Sequence, residues 1–133
     1  MKYLLDTNIC IYIIKKKPIS VINRFENINV GEIGISSITL AELNYGIQKS
    51  SNPIKNERAL SNFLLPLEVL NFDYRATISY GIVRAELEKK GMPIGSLDTL
   101  IAGHAKSKEL TLVTNNEKEF NRISDLKIEN WTK

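Results

Sequence analysis

Apolar residues along the chain fall into short blocks of two kinds. Tyr3–Leu5, the stretch around Ile33–Ser36, "LEVLNF" from Leu67 to Phe72 and "LTLVT" from Leu110 to Thr114 are brief apolar runs between polar residues. They read as buried strands, and "KIENW" near the end is a further candidate. Between them apolar positions recur at helical spacing. Thr7–Lys16 reads as a helix with Pro18 beyond its end. "SITLAELNYGIQKS" follows, with Ile38, Leu40, Ala41, Leu43 and Ile47 apolar. "NPIKNERALSNFLLPL" has Pro53 near its start and Pro66 near its end, "DYRATISYGIVRAELEKKG" is closed by Gly91, and "SLDTLIAGHAKSKE" is the last helix. Strands alternating with helices predict a parallel sheet covered on both faces. In such sheets ligands sit beyond the carboxyl ends of the strands. Asp6 stands at one such end, and Asn115 and Asn116 at another.

The chain has 133 residues, which suits one domain over 1–133, and no repeat, low-complexity tract or linker divides it. Hydrophobic residues make up 43% and charged residues 25%, an ordinary balance for a globular domain whose core needs no covalent staple. Cys10 is the single cysteine, so no internal disulfide can form, and its apolar neighbours make it a core residue. His104 is the single histidine. A zinc site of histidines and cysteines is therefore excluded, as is a ribonuclease mechanism built on a histidine pair. Any hydrolytic chemistry must rest on carboxylates, hydroxyls or lysines. The net charge of +3 is a mild excess that suits a polyanionic partner without establishing one. No apolar run approaches the roughly 20 residues of a membrane span, and Asp6 and Asn8 break the apolar N-terminal stretch, so a cytoplasmic protein without membrane attachment is expected.

Four acids stand out, and each has a structural explanation of its own. Asp6 precedes a helix and can cap it. Glu42 follows Thr39 by three residues, the spacing of a capping box. Asp98 and Glu119 each fall in the first turn of a helix, where negative charge is favourable. Their neighbours argue for more. Glu42 lies between Ala41 and Leu43, and Asp98 lies between Leu97 and "TLIAGHA", beside faces expected to be buried. A carboxylate near an interior must be paired or bind a cation, and the nearest base within the helix of Glu42 is Lys49. Converging acids without histidine or cysteine suit a hard divalent cation such as Mg²⁺ or Mn²⁺.

Four segments together resemble the motifs of the PIN-domain ribonucleases of the VapC toxin type. They are "LLDTNICIYII" with Asp6, "ISSITLAELNYGI" with Glu42, "GMPIGSLDTLIAGHA" with Asp98 and "LTLVTNNEKEF". The resemblance runs along nearly the whole chain. It implies a three-layer α/β/α sandwich around a mainly parallel sheet, with an acidic Mg²⁺-dependent or Mn²⁺-dependent endoribonuclease site. It further implies a homodimer, a cognate VapB-type antitoxin whose C-terminal segment occupies or distorts that site, binding of operator DNA through the antitoxin, and structured RNA such as tRNA as substrate. One position departs from the pattern. Many relatives carry aspartate in the loop that here reads "TNNEKEF", where the first acids are Glu117 and Glu119.

On this reading Asp6, Glu42 and Asp98 hold one Mg²⁺ or Mn²⁺, and Glu119 or Asn116 completes a second, weaker metal position. Thr7, Asn8, Thr114, Asn115 and Asn116 are candidates for orienting water or phosphate, and equally readable as turn and cap residues. Lys15 and Arg84 can meet RNA phosphates or serve solubility. The stripe Ile11, Ile14, Ile38 and Tyr45 can be core or part of an antitoxin groove. Ile78, Ile82 and Val83 on the long helix Arg75–Lys90 are the candidate dimer contact, with packing on the sheet as the alternative. Two rivals remain. A Mg²⁺-binding receiver domain needs a phosphoacceptor aspartate at a central strand end, for which Asp73 is the nearest approach. A non-catalytic interaction protein of the same fold has no use for the intact acids.

Overall fold

The computed structural model describes all of residues 1–133. Five strands form one sheet: β1 (Tyr3–Leu5), β2 (Ile33–Ser36), β3 (Glu68–Leu70), β4 (Thr111–Val113) and β5 (Ile128–Glu129). Their order is β3-β2-β1-β4-β5, and every neighbouring pair is parallel. The seven helices are α1 (Thr7–Lys15), α2 (Ile19–Glu26), α3 (Ser37–Gln48), α4 (Pro53–Leu64), α5 (Tyr74–Lys89), α6 (Ser96–Ser107) and α7 (Glu117–Phe120). None is long and apolar enough to cross a membrane.

Alternation along each strand divides the interior into two layers. Tyr3, Leu5, Ile33, Ile35 and Val113 pack with Ile9, Ile13, Val21, Leu43, Leu60 and Phe63 of α1 to α4. Leu4 and Leu112 point the other way, onto Val83 and Leu87 of α5, Ile101, Ala102 and Ala105 of α6, and Phe120 of α7. Trp131 closes the first layer, fully buried and edge-on to Tyr3 at 5.5 Å between ring centres. The expected parallel sheet between two helical layers is what forms.

The chain builds outward from β1 to β2 and β3, then returns to the other side of β1 for β4 and β5. The winding direction therefore reverses between β1 and β4, and such a reversal opens a crevice at the carboxyl ends of the two strands. Leu5 and Val113 are register partners there, and the Asp6 N–H bonds the Val113 carbonyl at 3.0 Å.

Several expectations need correction. Helix α2 has no counterpart in the sequence reading. It fully buries Val21, with Ile22 and Phe25 half-buried against the first layer and Ile19 69% exposed, so an amphipathic pattern is present in the sequence but goes unread. The capping box at Thr39 and Glu42 does not form. Ser36 is the cap of α3, its hydroxyl accepting the Ile38 N–H, and Thr39 lies buried inside the helix. The stripe Ile11, Ile14, Ile38 and Tyr45 is not one surface. Ile11 and Ile14 border the first layer, Ile38 the second, and Tyr45 is 66% exposed. On α5, Val83 is core, whereas Ile78 and Ile82 remain half exposed.

Candidate active site

Asp6, Glu42 and Glu119 stand at or beyond the ends of β1, β2 and β4, in or before the helix that follows each strand, whereas Asp98 comes from the first turn of α6, which follows α5. Asp6 follows β1 and caps α1, its Oδ1 accepting the Ile9 N–H at 2.9 Å. It is also 5% exposed and accepts a bond from the Thr114 hydroxyl. Thr114 follows β4 and is itself fully buried, its oxygen accepting the Asn116 N–H at 3.0 Å. The two strands flanking the crevice are thus tied together by their first residues beyond the sheet.

Glu42 lies on α3, half-buried, and its Oε1 accepts the Thr7 hydroxyl at 2.7 Å, joining α3 to the first turn of α1. Asp98 lies in the first turn of α6, half-buried. Glu119 lies on α7, and its Oε2 accepts the Asn116 amide at 3.0 Å. The neighbouring Glu117 is directed elsewhere, to Lys133 at 2.8 Å and Asn130 at 3.2 Å, and Lys133 holds its carboxyl below the usual range. Asn8 is exposed at the rim.

The acids feel one another. Burial, opposed by the Thr114 bond, pushes the Asp6 carboxyl up to about 6, and the charges of Asp98 and Glu42 push the same way. Asp98 is raised by burial first and then by Glu119 and Glu42. No cation offsets this. The four ion pairs of the protein are Arg24–Glu129, Arg84–Glu88, Lys108–Asp73 and Lys133–Glu117, and none includes any of the four acids. An all-oxygen donor set with unrelieved repulsion fits a hard divalent cation. With Glu42 and Glu119 held by hydroxyl and amide bonds, no three of the carboxylates form a ready cage.

A contact that the sequence reading did not anticipate supports Glu42 and Asp98 from behind. His104 of α6 is fully buried, with Nδ1 2.8 Å from the Ser36 hydroxyl that caps α3. Phe72 stands edge-on to its ring, and burial holds the imidazole below its usual pKa, so it is neutral at pH 7. A lone histidine on an apolar helix face carries no signal of such a bond in the sequence. Cys10 is fully buried and burial pushes its thiol up, which makes it inert packing.

Asp73, the nearest approach to a receiver phosphoacceptor, follows the edge strand β3, caps α5 and pairs with Lys108 at 2.7 Å. The strand order also differs from the 2-1-3-4-5 order of receiver-like folds.

Known proteins share the fold and much of the sequence. The family model of the PIN domain matches residues 3–126. The tRNA(fMet)-specific endonuclease VapC of Shigella flexneri is 48% identical over 132 residues, covering 99% of each chain. Ribonuclease VapC2 of Rickettsia felis is 51% identical over the full length of both chains. Among solved structures, the DNA-bound VapBC complex of Salmonella typhimurium contains a chain that superposes with a TM-score of 0.93 at 50% identity, covering 98% of each.

Proposed function

The chain belongs to the PIN-domain family and, within it, to the VapC proteins, and from that premise we propose that it is a toxin that cleaves RNA with the help of Mg²⁺ or Mn²⁺. The observation that carries this reading is the meeting of Asp6, Glu42, Asp98 and Glu119 at the β1–β4 crevice with no cation among them.

Asp6, Glu42 and Asp98 are the ligands proposed for a first ion, with the charge of Glu119 acting on Asp98. When bound, the ion acidifies water and offsets the negative charge that grows on the phosphate. The protein's own residues do the rest. Thr114 holds Asp6 at the strand end, Thr7 holds Glu42, and Asn116 holds Glu119. Ser36 and His104 fix the base of α3 against α6. Asn8 is an exposed rim group suited to meeting phosphate or sugar, while Asn115 gives its amide to the Tyr12 hydroxyl. Water attacks phosphorus, the bond from phosphorus to the 3′-oxygen breaks, and the 3′-oxygen leaves as a hydroxyl. His104 is buried and alone, so no imidazole pair is at hand to activate the ribose 2′-hydroxyl.

The relatives' names support tRNA, and initiator tRNA first, as the substrate to try. The VapBC complexes support a VapB-type antitoxin as partner and operator DNA reached through it. A groove of about 430 Å³ between α1, α3 and α4 runs beside Glu42 and is lined by Ile11, Ile14, Leu43 and Ile47, which suits the apolar face of an antitoxin segment. Ile78 and Ile82 suit a homodimer contact. Toxin, antitoxin and RNA would then meet in the cytoplasm.

The test is cleavage of total cellular RNA and of initiator tRNA by the purified protein, with Mg²⁺ or Mn²⁺ and with excess chelator. Cleavage that needs the ion and is abolished by Asp98→Asn supports the reading. Cleavage unaffected by chelation, or by Asp98→Asn, overturns it.

A further inference from the structure

A second concave surface adjoins the apolar groove along α1 and shares Ile11 and Lys15 with it. It is a cleft of about 510 Å³ bordered by Tyr12, Lys15, Lys17, Pro18 and Asn115, within the size range of small-ligand sites. Its wall has a defined construction. Helix α1 ends with the Lys16 N–H on the Ile13 carbonyl and the Lys17 N–H on the Tyr12 carbonyl, each at 3.1 Å, and Lys16 sits at φ 60 in the left-handed region. This is the Schellman ending. The turn brings Lys15 and Lys17 to the cleft while Lys16 does not line it. Neither Lys15 nor Lys17 is in an ion pair, and both are exposed.

The opposite wall connects to the acids. Asn115 follows Thr114, the residue whose hydroxyl holds Asp6, and its side-chain amide donates to the Tyr12 hydroxyl at 2.9 Å. Tyr12 is thereby fixed between the acidic crevice and the two lysines. Lys15 is nine residues beyond Asp6 along the helix, about 13 Å at 1.5 Å per residue. That is too far to share a phosphate with the acids, and near enough for the same strand to reach.

Resting on the ribonuclease reading, we propose that this cleft holds an unpaired nucleotide beside the one being cut, its base against Tyr12 and its two flanking phosphates on Lys15 and Lys17. An aromatic platform between free cations is the chemistry that single-stranded nucleic acid requires. The adjoining groove toward α3 and α4 is more apolar, with Ile14, Leu43, Ile47 and Leu60 in its lining, and suits a protein segment. The arrangement also answers an electrostatic difficulty. Four carboxylates repel a polyanion, and these lysines supply attraction on the flank where the strand must continue.

The experiment measures binding without cleavage. A fluorescein-labelled oligoadenylate of about eight nucleotides, within the span of known single-strand sites, is titrated with the full-length protein in excess chelator over a range of salt. Tyr12→Leu should weaken binding roughly 5- to 150-fold, the loss expected for one stacked base, and Tyr12→Phe should retain it. Lys15→Gln with Lys17→Gln should lower the slope of log affinity against log salt by about 1.4, or about 0.7 for each phosphate lost. The charge-matched pair Lys55→Gln with Lys89→Gln, both exposed and away from the cleft, should leave most of the slope in place. Equal loss in the two lysine pairs, or unchanged binding by Tyr12→Leu, overturns the proposal while leaving the ribonuclease reading intact. Weaker antitoxin binding with unchanged oligonucleotide binding reassigns the cleft to the protein partner and also overturns it. Failure of the unsubstituted chain both to bind and to cleave RNA removes the ribonuclease reading and this inference with it.

Discussion

Asp6 performs a structural and a chemical task with one carboxylate, and the two can be separated. Asparagine caps helices as well as aspartate does, so Asp6→Asn keeps the bond to the Ile9 N–H. It removes the buried charge. With a carboxyl pKa near 6 in the folded protein and about 3.8 unfolded, the group is protonated in both states below about pH 4 and costs nothing there. Above pH 6 the folded protein must carry the charge, and the metal-free protein loses on the order of 3 kcal/mol through that window. Asp6→Asn should therefore be more stable than the native sequence to urea at pH 7 in chelator, by about 2–3 kcal/mol, with the difference vanishing by pH 4. Equal stability at both pH values would mean that Asp6 is not strained by burial. Glu119 allows a graded test. Its carboxylate is held by Asn116 and its charge acts on Asp98 rather than on Asp6, so Glu119→Gln should weaken cleavage less than Asp98→Asn, with partial recovery at high Mn²⁺. Full activity of Glu119→Gln at low Mg²⁺ would leave it a first-turn helix charge. Single residues carried much of this information, because each acid falls in a recognisable place next to a strand or helix start. Glu119 was named as the fourth acid and Glu117 was not, but what turns Glu117 away, its bonds to Lys133 and Asn130 from the far end of the chain, leaves no mark in the sequence around it.

At the scale of elements, α6 brings Asp98 to the crevice by lying close against α5. A side chain on Gly103 would put its Cβ 2.8 Å from the Tyr80 Cα and 2.9 Å from its N, and backbone cannot yield as a flexible side chain can. Gly103→Ala should cost about 1–3 kcal/mol by overpacking. Cleavage per folded molecule should fall too, because α6 must shift with Asp98. A urea midpoint equal to that of the native sequence would show that the helices have room to spare. The glycine was present in "TLIAGHA", yet its partner stands on a different helix and no local pattern names it. The strong strands and helices were legible because their apolar periods agree with their burial. Helix α2 went unread although Val21, Ile22 and Phe25 keep helical spacing, because it is eight residues long and opens on Pro18 with no side-chain cap, whereas β5, two residues paired with β4, lies within the "KIENW" candidate. The cap of α3 was misplaced for a related reason. Ser36, Ser37 and Thr39 are all competent caps, and the end of β2 decides among them.

At the scale of the whole molecule, the sheet's winding reversal places the acids, and α1 carries an apolar groove toward α3 and α4 and, adjoining it, a basic cleft toward the loop after β4. The parallel sheet was legible from the order of elements, but the reversal between β1 and β4 was not, since pairing partners far apart in sequence leave no mark in it. Products follow from the same arrangement. Cleaved initiator tRNA should carry a 5′-phosphate on one fragment and a 3′-hydroxyl on the other, and a dominant 2′,3′-cyclic phosphate would contradict attack by water. The most direct test of the acid cluster as a single cation site is a calorimetric titration of the metal-free protein with Mn²⁺, run for the native sequence, Glu119→Gln and Asp98→Asn. The expected result is saturable binding by the native sequence that weakens as pH falls through about 6, weaker binding by Glu119→Gln, and loss of binding by Asp98→Asn. Binding by Asp98→Asn as tight as by the native sequence would contradict it.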